Sequence, residues 1–196
     1  MNRDIAFTTP HGRLDGLLSI PENPGGLVVV ALLHPATHAP ALPAALAERH
    51  LASLSLELLT AQELQFPDSA HNVPLLADRL LHAIDLLARD ADTAELPVGI
   101  YAEASVTPAA IRVAARRDKQ VHALVCHGGI ADLAGLQYLE LLGAPLLMLV
   151  AQDDAAAAGA FRRAAGHLAC LHALERLQGG ELPAPRAAAW FDRHLV

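Results

Sequence analysis

The chain reads as an α/β domain, a doubly wound and mainly parallel sheet between two helical layers in a three-layer αβα arrangement. Three observations predict it. Apolar runs recur at residues 27–33, 98–102, 121–126 and 146–150, broken only by His122, and such runs mark strands covered on both faces. Segments with helical apolar stripes stand between them, the alternation expected of a parallel sheet with crossover helices. No internal repeat, low-complexity stretch or linker interrupts the 196 residues, so residues 1–196 form one domain, large enough to bury a substantial core.

The elements follow in order. Residues 5–8 and 14–20 form a hairpin around Pro10-His11-Gly12. Pro21-Glu22-Asn23-Pro24-Gly25-Gly26 is a loop, and the valine-rich run 27–33 is the first buried strand. Residues 51–59 alternate Leu54, Leu56 and Leu58 with Ser53, Ser55 and Glu57, as a strand does. Asn72 caps a helix and Pro74 suits its first turn; Leu76, Leu80, Ile84 and Leu87 make its stripe. Strands at 98–102, 121–126 and 146–150 alternate with helices at 108–117 and 155–166, and a last helix spans 186–194.

Composition narrows the function. The net charge of −7 speaks against nucleic acid as a partner, because phosphate binding needs a basic surface. Hydrophobic residues make up 53% and the mean hydropathy is +0.31, yet no apolar run reaches the ~18 residues of a membrane span. The polar start at residues 1–4 leads into no apolar signal segment, so a cytoplasmic protein is expected, with no membrane partner. Cys126 and Cys170 fit neither a zinc spacing nor a secreted disulfide framework. Gly99 is followed by no phosphate loop, and no cofactor is implied. The apolar content hints at a buried interface such as a homodimer.

In parallel sheets of this kind ligands bind beyond the carboxyl ends of the strands. His34-Pro35-Ala36-Thr37 follows the first long strand, Glu103-Ala104-Ser105 follows Ala102, Cys126-His127-Gly128-Gly129 ends the next strand, and Gln152-Asp153-Asp154 follows Val150. These positions ring one crevice. From about residue 14 to 195 the chain resembles the small α/β hydrolases related to dienelactone hydrolase. The resemblance rests on Leu14-Asp15-Gly16-Leu17, the His34 loop, Glu57-Leu58-Leu59-Thr60, Pro74-Leu75-Leu76-Ala77-Asp78-Arg79-Leu80 and Leu96-Pro97-Val98-Gly99. It continues through Gly128-Gly129-Ile130-Ala131-Asp132-Leu133-Ala134-Gly135, residues 145–154, and Trp190-Phe191-Asp192-Arg193-His194-Leu195. It implies the α/β-hydrolase fold, without a large cap domain.

The same resemblance implies a nucleophile on a G-x-S-x-G elbow, a histidine base, an acid and an oxyanion hole. Here the elbow reads Ala102-Glu103-Ala104-Ser105-Val106. In the natural register the nucleophile has become Ala104, and both glycines are gone with it. The other register makes Ser105 the nucleophile but puts Glu103 and Thr107 where small residues belong; outside that role Ser105 caps the following helix. The acid falls on Asp154, which also suits a helix N-cap. For the base, a gapless count back from Trp190 lands on His172. The preferred register instead places Leu174-Glu175 in the final strand, leaves His172 an ordinary strand residue, and makes Gln178-Gly179-Gly180-Glu181-Leu182-Pro183 a shortened loop without its histidine. Pro35 replaces the glycine of the oxyanion loop and removes one N–H donor.

The leading expectation is therefore a catalytically impaired relative, with a crevice lined by His34, Ala36, Ala104, Ser105, His127 and Asp154. It would bind a small carbonyl or anionic ligand, or serve a structural or partner-binding role. The first alternative is an active serine ester hydrolase using Ser105, His172 and Asp154. The second is a metal site drawn from Glu103, Cys126, His127, Asp154 and His34. Cys126 paired with His127 as a replacement nucleophile is disfavoured, because adjacent strand residues face opposite ways.

Overall fold

The computed structural model describes residues 1–9, 12–33 and 41–195. Strands β1 (Asn2–Thr9) and β2 (Gly12–Ser19) form the expected antiparallel hairpin, with Asn2 opposite Ser19. β2 continues antiparallel onto β4 (Leu51–Glu57). From there β3 (Gly26–Leu32), β5 (Val98–Glu103), β6 (Val121–His127), β7 (Leu146–Ala151) and β8 (His172–Leu177) are all joined in parallel. The order is β1-β2-β4-β3-β5-β6-β7-β8. The chain leaves β3 toward one edge and resumes at β5 toward the other. The gap between β3 and β5 is thus the switch point where an open α/β sheet leaves a crevice.

Two helical layers cover the sheet, and alternation along each strand decides which residues meet which layer. Val28, Val30, Tyr101, Ala123, Val125, Leu147 and Leu149 pack against α1 (Ala41–Ala47) and α6 (Ala184–Leu195). Val29, Ile100, Ala102, Leu124, Cys126 and Met148 pack against α2 (Val73–Leu87), α3 (Thr107–Arg116), α4 (Leu136–Leu141) and α5 (Ala155–Ala165). Gly99 lets α6 come close: a Cβ there would stand 2.7 Å from the Phe191 ring. The side chain of Asn72 accepts the Leu75 N–H at 3.1 Å and caps α2 as expected.

α1 and α4 lie where the sequence pattern announces no element. α1 carries Pro43 inside seven residues, and α4 is a six-residue helix too short to show a stripe. β5 and β6 each run one residue beyond the apolar pattern, to Glu103 and His127, which brings two polar side chains to the carboxyl end of the sheet. No helix among the described residues is long and apolar enough to cross a membrane.

Candidate functional site

The turn after β5 keeps the shape of a nucleophile elbow. Ala104 has φ +46°, a left-handed conformation that L residues other than Asn and Asp seldom adopt. It opens a 3-10 turn, Ala104–Val106, which runs directly into α3. The natural register is the one the backbone takes: Ala104, with its side chain exposed, stands at the apex, and Ser105 is half-buried one residue later. The expected capping role of Ser105 is corrected. The N-cap position of α3 is Val106, and no side chain caps it, because the 3-10 turn feeds the helix without a break.

The elbow is held from outside. The Thr107 hydroxyl donates to the Gly128 carbonyl at 2.9 Å, tying the start of α3 to the end of β6. Gly129, at φ +87°, lies so close that a Cβ there would overlap the Ala104 carbonyl oxygen. These two contacts hold the turn against the end of β6.

Beside the elbow opens a crevice of about 250 Å³. Ala104, Ser105 and Pro108 form one side, Gly129, Ile130 and Leu133 the other, and His71 and Val73 close it from the start of α2. The helix that carries Val73 is anchored by a buried ion pair. Arg79, 3% exposed, donates from both terminal nitrogens to Glu63 at 2.6 and 2.7 Å and to the Leu58 carbonyl at 2.6 Å. The Arg79 hydrogen bonds, reinforced by the N–H and hydroxyl of Thr60, hold the Glu63 carboxyl at about 2, well below its ordinary value. On the opposite side Arg112 donates to the Ala134 carbonyl at 2.8 Å and lies 5.2 Å from the Tyr138 ring, and Arg163 pairs with Asp132 at 2.6 Å. Both pin the segment that carries Ile130 and Leu133. A larger groove, about 960 Å³, lies between β1 and α2, but two of its acids are spoken for: Asp85 pairs with Arg117 and Asp90 with Arg3.

Asp154, like His127, is not among the residues that line the crevice. It follows β7, its Oδ1 accepts the Ala157 N–H at 2.9 Å as the N-cap of α5, and its Oδ2 faces Gly128, 3.9 Å from where a Cβ would stand. His172 does not reach it. It is the first residue of β8, paired with Leu146 at the amino end of β7, whereas Asp154 lies beyond the carboxyl end, about 17 Å of strand away. Its ring nitrogen Nδ1 meets the Cys170 carbonyl at 2.9 Å, and the ring lies edge-on to Phe161. The register that makes His172 the base is thus corrected, and Ser105, His172 and Asp154 are not brought together. The loop after β8, residues 178–183, contains no histidine. His34 and Ala36 lie outside the described residues.

His127 and Glu103 meet at the ends of β6 and β5, with Nδ1 and Oε1 3.6 Å apart. The same oxygen accepts the Tyr101 hydroxyl at 2.8 Å. Burial, then the Glu103 charge, pushes the Tyr101 phenol upward, so it stays a donor. Cys126 points to the opposite face, fully buried, and burial pushes its thiol up to about 12. The donor set expected for a metal is therefore split between two faces, and among the described residues no three His, Cys, Asp or Glu converge on one point. Tyr101, Thr107 and His71 escape a reading by sequence: each sits in its local pattern as an ordinary strand, helix or loop residue, and only the tertiary fold brings it to the site.

No family model matches the chain. Proteins from two strains of Mycobacterium tuberculosis, which carry the provisional name phosphoribosyl transferase, are 35% identical over 143 residues, covering 71% of this chain. The match takes in 32% of their length, so the chain spans about a third of the curated relatives it matches. Among solved structures, the dienelactone hydrolase of Anabaena variabilis superposes with a TM-score of 0.89 at 27% identity, over 100% of this chain and 99% of that one. A cold-adapted esterase from an Arctic intertidal metagenomic library superposes with a TM-score of 0.76 at 13% identity, over 100% of this chain and 94% of that one, a likeness of fold.

Proposed function

Because this chain is an α/β-hydrolase-fold protein of the dienelactone-hydrolase-like kind, we propose that it uses the crevice at the elbow to bind a small carbonyl or anionic ligand without cleaving it. The observation that carries this reading is Ala104, a methyl group exposed at the apex of a left-handed elbow. Acyl transfer on this fold needs a nucleophile with a base in hydrogen-bond reach. A methyl group has neither a lone pair to attack with nor a proton to give up. The loop after β8 holds no histidine, and His172 belongs to the other end of the sheet. What remains suits binding: Ser105 and His71 as hydrogen-bond partners in an apolar crevice.

A serine-directed fluorophosphonate followed by intact-mass measurement tests this, together with turnover of p-nitrophenyl acetate. The expected result is no adduct and no turnover above buffer. A stoichiometric adduct that disappears in Ser105→Ala overturns the reading.

A second reading is favoured by the lengths of the Mycobacterium tuberculosis relatives, in which the matched stretch is only 32% of a longer chain. In that reading the chain works alongside a phosphoribosyl-transferring partner. A chimera in which this chain replaces the matched stretch of the relative then retains transferase activity that deletion of the stretch lowers. Equal activity with and without the stretch ends this reading.

A further inference from the structure

The groove of about 960 Å³ between β1 and α2 is bordered by charges that complement themselves. Phe7, Leu75 and Leu86 give it a half-buried apolar floor. Asp78, His82, Asp85 and Arg89 follow one another along α2 and just past its end, in the order acid, base, acid, base. Asp78 and Arg89 are exposed, and neither side chain has a partner among the described residues. His82 is exposed as well; its Nδ1 meets the Asp78 carbonyl at 2.9 Å, which leaves Nε2 for an outside partner. Asp85 already shares its charge with Arg117 at 3.0 Å.

Asp78 and Arg89 lie equally far in sequence from a point between Ala83 and Ile84, and so do His82 and Asp85. A two-fold axis through that point, with α2 antiparallel to its copy, sets Asp78 against the partner's Arg89 and His82 against the partner's Asp85. Each contact recurs on the other side of the axis, as isologous contacts do. Parallel helices in register would oppose like charges instead.

β1 obeys the same axis. It is an edge strand, and among the described residues no strand pairs with its outer side. Met1 and Ile20 exchange both backbone hydrogen bonds, at 2.6 and 2.8 Å. Alternation from that pair turns the N–H and C=O groups of Asn2, Asp4, Ala6 and Thr8 outward. β1 is parallel to β4, and α2 is the crossover that joins β4 to the parallel β5, so β1 runs antiparallel to α2. The axis that opposes the two helices therefore lays β1 antiparallel to the partner's β1, a sense in which bare strand edges pair. A partner of one sign suits this rim poorly: a basic surface meets Arg89 and His82, an acidic one meets Asp78. A second copy of the chain supplies both signs at the required spacing.

We propose that this face is a two-fold contact between copies of the chain, with α2 antiparallel to the partner's α2 across the groove.

Sedimentation velocity of the intact protein over a range of concentrations tests it, because a two-fold contact makes the dimer fraction rise by mass action. The parent protein is expected to dimerise. Asp78→Arg and Arg89→Asp, each opposing like charges twice, are expected to weaken the dimer at least ~10-fold. Both positions are exposed, and circular dichroism checks that each variant is folded. The decisive sample is an equimolar mixture of the two variants. Each copy then offers the charge that the other lacks, and association is expected to return; the double variant Asp78→Arg/Arg89→Asp is expected to dimerise alone. A parent protein that is monomeric at every concentration overturns the proposal and leaves the face to a different partner. A dimer that neither reversal weakens also overturns it, since the contact then uses another face. So does a loss in both variants that mixing does not repair.

Discussion

Ala104 at φ +46° invites replacement by glycine, and the size of the effect follows from the backbone alone. A left-handed conformation costs an L residue about 1–2 kcal/mol, because Cβ crowds the following carbonyl. Glycine removes that cost but brings a more flexible unfolded chain, which takes back about 0.4–1 kcal/mol. The methyl of Ala104 is exposed, so no buried contact is lost with it. The balance is a gain of roughly 0.5–1 kcal/mol for Ala104→Gly. For a domain of this length, that raises the melting temperature by about 1–4 °C. Thermal and urea unfolding followed by circular dichroism read both quantities. Ala115→Gly, inside α3, serves as control and is expected to lose about 1 kcal/mol. A fall in melting temperature for Ala104→Gly refutes the reasoning, for it means the methyl group makes contacts that outweigh the strain.

Three further outcomes are expected. Gly129→Ala meets both a positive φ and the Ala104 carbonyl, and is expected to cost ~2–4 kcal/mol; an unchanged urea midpoint contradicts the close packing of the elbow. Glu63, held at about 2 against its ordinary 4.5, has a folded pKa below its unfolded one, so its contribution is complete above about pH 4.5 and is lost as pH falls toward 2. The stability gap between the parent protein and Glu63→Gln should therefore be constant near neutrality and close through that acid window, and a gap independent of pH removes Arg79 as its cause. Cys126, buried with its thiol at about 12, is expected to resist a disulfide reagent at pH 8 in the folded protein and to react on denaturation; fast labelling of Cys126 in the native state counts against the placement of β6.

The strands were the most legible part of the chain. Val28, Val29 and Val30, or Leu146, Leu147 and Met148, are buried on both faces and so read as unbroken apolar runs. α2 was equally plain, since Asn72, Pro74 and the Leu76–Leu80–Ile84–Leu87 stripe agree. α1 was hidden by Pro43 and α4 by its brevity. At the site, Ala104 at the apex was visible in the sequence, but the left-handed bend that carries it was not. Nothing in Ala-Glu-Ala-Ser-Val asks for a positive φ; Thr107, Gly128 and Gly129 are the neighbours that pack against the turn. His71 enters the crevice at the end of a 3-10 turn, Pro67–His71, and no periodicity announces such a contact. His172 was readable as a strand residue only by weighing the length of α5 against the last strand, which the pairing with Leu146 confirms.

The elbow obeys its neighbours rather than its own residues, and this has an evolutionary consequence. Position 104 is free to change side chain without unmaking the turn, because the Thr107–Gly128 hydrogen bond and the backing of Gly129 stay in place. Folding and chemistry are thereby decoupled at the apex. The group at the apex can change while the mould that presents it persists, ready to display whatever side chain mutation next supplies there.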